Sequence, residues 1–133
     1  MLRSVFWYVF FVVSVALGLG AFGHGYSARR VHEALDPFPI NPAMSKTIYI
    51  VWYFVSGAML MFGGVLISIA LRVRAGDSSS LFVAYWIAAL YMLFGICATI
   101  YRRNDPFWLF FILLGVLLLG SSLVLKTQQA PGT

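Results

Sequence analysis

The stretch SVALGLGAFGHG, Ser14 to Gly25, decides the fold. Four glycines and one histidine stand where a membrane helix would otherwise carry bulky aliphatics. At about 100° per residue, Ser14, Gly18, Ala21 and Gly25 fall in one stripe, with Leu17, Gly20 and His24 on its flank. Small residues let helix backbones approach closely, and lipid-immersed helices associate largely through such packing. The stretch therefore predicts the face of a first helix on which others pack. It turns His24 toward those helices and away from lipid.

Outward from this stretch the whole chain reads as membrane-embedded. Of its 133 residues 62% are hydrophobic and 10% charged, with a mean hydropathy of +0.92. Soluble chains carry roughly 25% charged residues. Crossing a hydrocarbon core takes about 20 apolar residues in a helix, and four runs are that long. They cover approximately 4–26, 47–71, 81–101 and 106–125. The expected fold is an all-α membrane protein, an antiparallel bundle of four transmembrane helices forming a single domain over residues 1–133, with a loop at 27–46 and a polar tail at 126–133. Arg3 before an apolar run also fits a signal peptide. The run is longer than a usual signal core and Phe22–Gly25 is a poor cleavage site, so a retained helix is expected.

Local signals place the ends of these helices. The first helix continues through ARRVHEAL, Ala28–Leu35, which holds no breaker, and stops at Asp36-Pro37. Asn41 and Pro42 read as N-cap and first residue of the second helix. In that helix Ser56, Gly64 and Ser68 form a second small-residue stripe, which makes the first two helices the natural close pair. Asp77 with Ser78–Ser80 caps the third helix, whose small contacts are Ala84, Ala88 and Gly95. Asp105 and Pro106 start the fourth after so short a reversal that the third and fourth helices must be antiparallel neighbours. The fourth, mostly Leu, Phe, Ile and Val, is expected to be the most lipid-exposed. Two aromatic belts emerge, Trp7, Tyr8, Tyr85 and Trp86 on one boundary and Tyr26, Tyr49, Trp52, Tyr53, Tyr101 and Trp108 on the other.

The net charge of +5 comes from basic residues at the helix ends. That distribution suits lipid phosphates and argues against nucleic acid as a partner. Arg3, Arg72, Arg74 and Lys126 share the face of the termini; Arg29, Arg30, Lys46, Arg102 and Arg103 share the other. Counts so even leave orientation to the long proline-bearing loop, which reads as exported and puts both termini in the cytoplasm of a bacterial cell, beneath its inner membrane.

Few residues are placed to carry chemistry. His24 is the ionisable group within the apolar region, and such groups mark functional positions by default. Its functional reading is contact with a quinone, lipid or haem, with Arg29 or Arg30 holding an anionic group. The plainer reading is a neutral imidazole hydrogen-bonded near the interface. His32 and Asp36, at i and i+4, present a two-ligand start on a metal site that nothing completes. The alternative is a solvated face in which Arg29 pairs with Glu33. Arg102 and Arg103 suit lipid headgroups or an acidic partner. Cys97, the single cysteine, excludes an intramolecular dithiol mechanism.

The four-span outline and the glycine-rich stretch ending in His24 resemble, in outline alone, several bacterial families of small membrane proteins, the DoxX-like group among them. The length and span number are also similar to those of the small multidrug-resistance transporters, but their helix-1 glutamate has no counterpart here. No activity is carried over from either. The expected function is a non-catalytic accessory or structural subunit of a larger membrane complex, in contact with lipids and with other subunits or further copies of itself, and with no cofactor of its own. The alternatives are a small ligand-binding or redox module at His24 and a small transporter.

Overall fold

A computed structural model describes residues 2–128. The tail expected at 126–133 lies, beyond Gln128, outside the described residues. The structure is all-α: α1 (Leu2–Tyr26), α2 (Ala28–Leu35), α3 (Pro42–Arg74), α4 (Leu81–Tyr101), a single 3-10 turn (Pro106–Trp108) and α5 (Leu109–Thr127). Among the described residues four helical segments, Arg3–Leu35, Pro42–Arg74, Leu81–Tyr101 and Pro106–Thr127, are long and apolar enough to cross a membrane. α1 and α2 follow one another with their ladder kept, since the Ser27 amide donates to the Gly23 carbonyl and that of Val31 to the Ser27 carbonyl. Asn41 starts α3 by accepting the Ala43 amide at 2.8 Å, and Asp105 starts the 3-10 turn by accepting that of Phe107 at 3.1 Å. Asp77, by contrast, accepts the Ser79 amide and leaves α4 without a side-chain cap.

The described chain divides into two compact units. The first holds the residues up to Ser14 and those from Val65 onward; the second holds Val15–Gly64.

In the second unit the latter part of α1 lies antiparallel to the first part of α3. A methyl group added at Gly18 would sit 3.6 Å from the Gly63 Cα, and one at Gly25 would sit 3.6 Å from Ser56 Oγ. As one partner's number rises by seven the other's falls by seven, which only antiparallel helices do. The α3 seam is Ser56, Met59 and Gly63 and the α1 seam Leu17, Gly18, Ala21, His24 and Gly25, each stepping by threes and fours. That spacing is the signature of coiled-coil-like packing.

The α3 stripe expected from the sequence is corrected here. Ser56 lies on the seam, but Gly64 and Ser68 are exposed, and nothing lies within 4 Å of a Cβ built on Gly64. Seven residues return a helix to the same face, whereas eight overshoot by about 80° and twelve by about 120°. The close approach belongs to Gly63.

The first unit is built from the start of α1, the end of α3, α4 and α5. Phe10, Ser14, Leu66, Ala70, Leu81, Ala84, Ala88, Leu118 and Leu125 are fully buried. The Trp7 indole donates to the Ala70 carbonyl at 2.7 Å and the Arg3 guanidinium to that of Val73 at 3.3 Å, while the Arg74 guanidinium lies 5.0 Å from the Trp7 ring centre. α3 ends in paired reverse bonds, Asp77 amide to Arg72 carbonyl and Gly76 amide to Val73 carbonyl, with Gly76 at φ +101°. This is the glycine-terminated helix end that a left-handed residue makes possible.

α4 and α5 approach most closely. A Cβ on Gly95 would lie 2.7 Å from Ile112 Cγ1, and one on Gly115 would lie 2.9 Å from the Ala88 carbonyl oxygen. Buried hydroxyls in these helices bond back to their own turn: Ser121 to the Leu117 carbonyl and Ser122 to that of Leu118, both at 2.6 Å. Such bonds satisfy a hydroxyl where no water is at hand. The expectation that the last helix is the most exposed is overturned. The apolar window of α3 is 22% buried inside the protein against 33% for each of the other three. Gly115, Ser121 and Ser122 seat α5 closely, whereas α3 keeps Ile50, Phe54 and Met61 outward.

Candidate functional site

The second unit holds the one histidine placed at membrane depth. The end of α1 delivers His24, and α3, running the other way, delivers Trp52 and Ser56 one turn apart. His24 Nδ1 and Ser56 Oγ are 2.9 Å apart, and the imidazole stacks on the Trp52 ring with centroids 4.2 Å apart and planes 12° off parallel. The backbone at the same residue is also bound: the His24 carbonyl accepts from Trp52 Nε1 and from Ser27 Oγ, each at 2.7 Å. One tryptophan thus grips both the ring and the main chain of His24. This gives α1 and α3 a fixed register by polar bonds, on top of the glycine contacts.

The proton arrangement follows from the Ser56 hydroxyl, which is also 3.2 Å from the Trp52 carbonyl. If Ser56 donates to that carbonyl, Nδ1–H donates to Ser56 and Nε2 is a bare acceptor. If Ser56 donates to Nδ1, Nε2 carries the proton. In either tautomer Nε2 is the nitrogen without a partner among the described residues. Chemically the ring can offer one hydrogen bond or one ligand bond from that atom.

The other sequence-identified residues lie apart from this group. Arg29, on α2, pairs with Glu33 at 3.0 Å with both side chains exposed; Arg30 is exposed and makes no ion pair among the described residues. His32 Nδ1 meets Asp36 Oδ1 at 3.2 Å on an exposed face, and its ring lies edge-on to Tyr49 at 5.8 Å. Among the described residues no group of three or more His, Cys, Asp or Glu side chains converges as a metal site would require. Along a helix, His24 and His32 stand about 12 Å apart. Arg102 and Arg103 belong to the first unit, in the turn after α4, where Arg102 lies 3.8 Å from Asp105 and Arg103 is exposed. Of the packing stripe, Ser14 is fully buried in the first unit, with its hydroxyl on the Phe10 carbonyl. Gly18 and Ala21 are buried in the second, and Gly25 and Ser56 half-buried.

Two residues with a part in this picture escaped the sequence reading. Trp52 reads there as a boundary residue, although its i, i+4 relation to Ser56 on one face was available as a signal. Tyr91, in the first unit and apart from the His24 group, is not singled out there at all. It stands ten residues from either end of α4, it is 6% exposed, and its hydroxyl has no partner among the described residues. Its ring stacks on Phe111 at 6.2 Å. A hydroxyl in mid-span is the signal that could have marked it.

No family model matches the chain, and neither a curated protein nor a solved structure matches it. The outline shared with small four-span families therefore carries no assignment.

Proposed function

We propose that this small integral membrane protein is a non-catalytic accessory or structural subunit of a larger membrane assembly, seated in a bacterial cytoplasmic membrane with both termini in the cytoplasm. The observation that carries the reading is the outward face of α3 in the second unit. Ile50, Phe54, Gly57, Met61 and Gly64 step by fours and threes along it; Ile50, Phe54 and Met61 are 69%, 74% and 68% exposed. Among the described residues nothing lies within 4 Å of a Cβ on Gly57 or on Gly64. Large side chains alternate with two notches, the pattern into which a neighbouring helix packs. The chain's own close contacts use Gly63 and Gly18 instead, so these two notches are spare. His24, for its part, is engaged in holding α1 to α3.

The test is extraction from the native membrane in a mild detergent, followed by measurement of particle mass and protein composition. A particle containing other subunits is expected, and a small particle made only of copies of this chain overturns the reading. Gly57→Leu combined with Gly64→Leu should release the chain from it still folded, since neither position touches the rest of the protein. A wild-type chain that emerges alone, or a double variant that stays in the particle, refutes the proposal.

One observation favours a second reading, a small quinone-, lipid- or haem-binding module: Nε2 of His24 has no partner among the described residues. His24→Ala separates the two. Loss of a bound molecule with stability retained supports the ligand role. Lower stability with unchanged composition supports the packing role.

A further inference from the structure

The first unit carries an open apolar groove that neither the fold nor the proposed docking face uses. It runs along one stripe of α4, past Phe82, Trp86, Ala89, Leu93 and Ile96, and is closed at one side by Leu119 of α5; its volume is about 620 Å³. Fourteen helical rises from Phe82 to Ile96 make it about 21 Å long, enough to line one leaflet of hydrocarbon, about 15 Å deep. Trp86 and Leu93 stand 74% and 61% exposed beside it, and Ala89 is its one small residue. A channel of this length and polarity is shaped for an acyl chain.

Its boundary end is charged. Tyr85, another lining residue, lies under the ammonium of Lys126, which stands 5.8 Å from the ring centre. Lys126 is exposed and makes no ion pair among the described residues, whereas the acids of this unit are engaged, Asp77 beside Arg72 at 3.9 Å and Asp105 beside Arg102 at 3.8 Å. An exposed cation at the mouth and hydrocarbon below it make a complementary pair for one class of molecule.

We propose that this groove binds one anionic phospholipid, its acyl chain along Phe82–Ile96 and its phosphate at Lys126. The site is independent of the partner face on α3 and of His24. The occupant is a lipid rather than a helix because the stripe offers a single small residue, and helix docking needs repeated notches.

The test uses the full-length protein purified with graded delipidation in equal mixtures of phosphatidylglycerol and phosphatidylcholine of matched acyl chains. Intact-complex mass spectrometry counts what stays bound. The wild type should retain one phosphatidylglycerol with about fivefold preference over phosphatidylcholine, the size of one interfacial basic residue's contribution. Lys126→Ala should lose that preference and Lys126→Arg should keep it. Ala89→Leu fills the groove from an exposed position and should retain neither lipid. Equal retention of the two lipids by the wild type, an unchanged preference in Lys126→Ala, or phosphatidylglycerol held by Ala89→Leu overturns the proposal.

Discussion

Replacing Gly115 by alanine tests whether the contact of α4 with α5 is as tight as its geometry. The added methyl carbon would lie 2.5 Å from Met92 Cγ, 2.9 Å from the Ala88 carbonyl oxygen and 3.1 Å from the Met92 amide nitrogen. Carbon contacts settle at about 3.5–4.0 Å. Met92 can swing its side chain aside, but the backbone atoms cannot move without separating the two helices. Overpacking of this kind costs about 1–3 kcal/mol. Alanine regains up to about 1 kcal/mol in helix propensity, so the expected net loss is up to about 2 kcal/mol, and about 1–3 kcal/mol relative to a glycine-to-alanine change in open space. Gly95→Ala meets Ile112 Cγ1 at 2.7 Å and the Ile112 amide nitrogen at 2.9 Å and should cost as much. Because either substitution separates the same pair of helices, the two combined should cost less than their sum. Gly120→Ala, with none of the described residues within 4 Å, is the control and should be neutral or mildly stabilising. The assay is reversible unfolding in mixed micelles with rising dodecyl sulfate, followed by far-ultraviolet circular dichroism. Equal midpoints for Gly115→Ala and Gly120→Ala would refute the reasoning. So would full rescue of Gly115→Ala by Met92→Ala, since the Ala88 carbonyl remains in the way.

Three further outcomes are expected. Tyr91→Phe removes a buried hydroxyl that has no partner among the described residues and should raise stability in the same assay by about 1 kcal/mol or more; a clear loss would mean that the hydroxyl serves an acceptor outside the chain. Gly76→Ala forces a side chain into the left-handed region at φ +101° and should destabilise the α3–α4 reversal by about 1–2 kcal/mol, with Gly76→Asn milder than Ala. Asp77, in the linker between α3 and α4, is held below the usual carboxylate range chiefly by its hydrogen bonds with the Ser79 side chain and amide, with nearby Arg72 helping. A lowered folded-state value means that its contribution is complete above about pH 4 and is lost as pH falls through the lowered value. The Ser79 amide resonance should follow that acid transition, and in Asp77→Ala the transition should vanish.

Much of the fold was present in composition and spacing. Apolar runs of membrane-crossing length leave the backbone no state but helix, since unpaired amides are too costly in hydrocarbon. Asn41 and Asp105 mark helix starts through bonds that depend on near neighbours alone. The short reversal between Tyr101 and Pro106 makes α4 and α5 antiparallel whatever else happens. These are local consequences. The facing of α3 was not local: Gly63 and Gly64 are neighbours in sequence and about 100° apart around the helix, and only the contact with Gly18 selects between them. Exposure of α3 and burial of α5 likewise depend on which small residues find a partner helix. So does the site. His24 could be picked out in the sequence as a polar group at membrane depth, but its bond to Ser56 and its stacking on Trp52 join residues 28 to 32 positions away. That pairing exists only once α1 and α3 have set their register, because a helix determines which of its own residues share a face and the neighbouring helix determines which face is used.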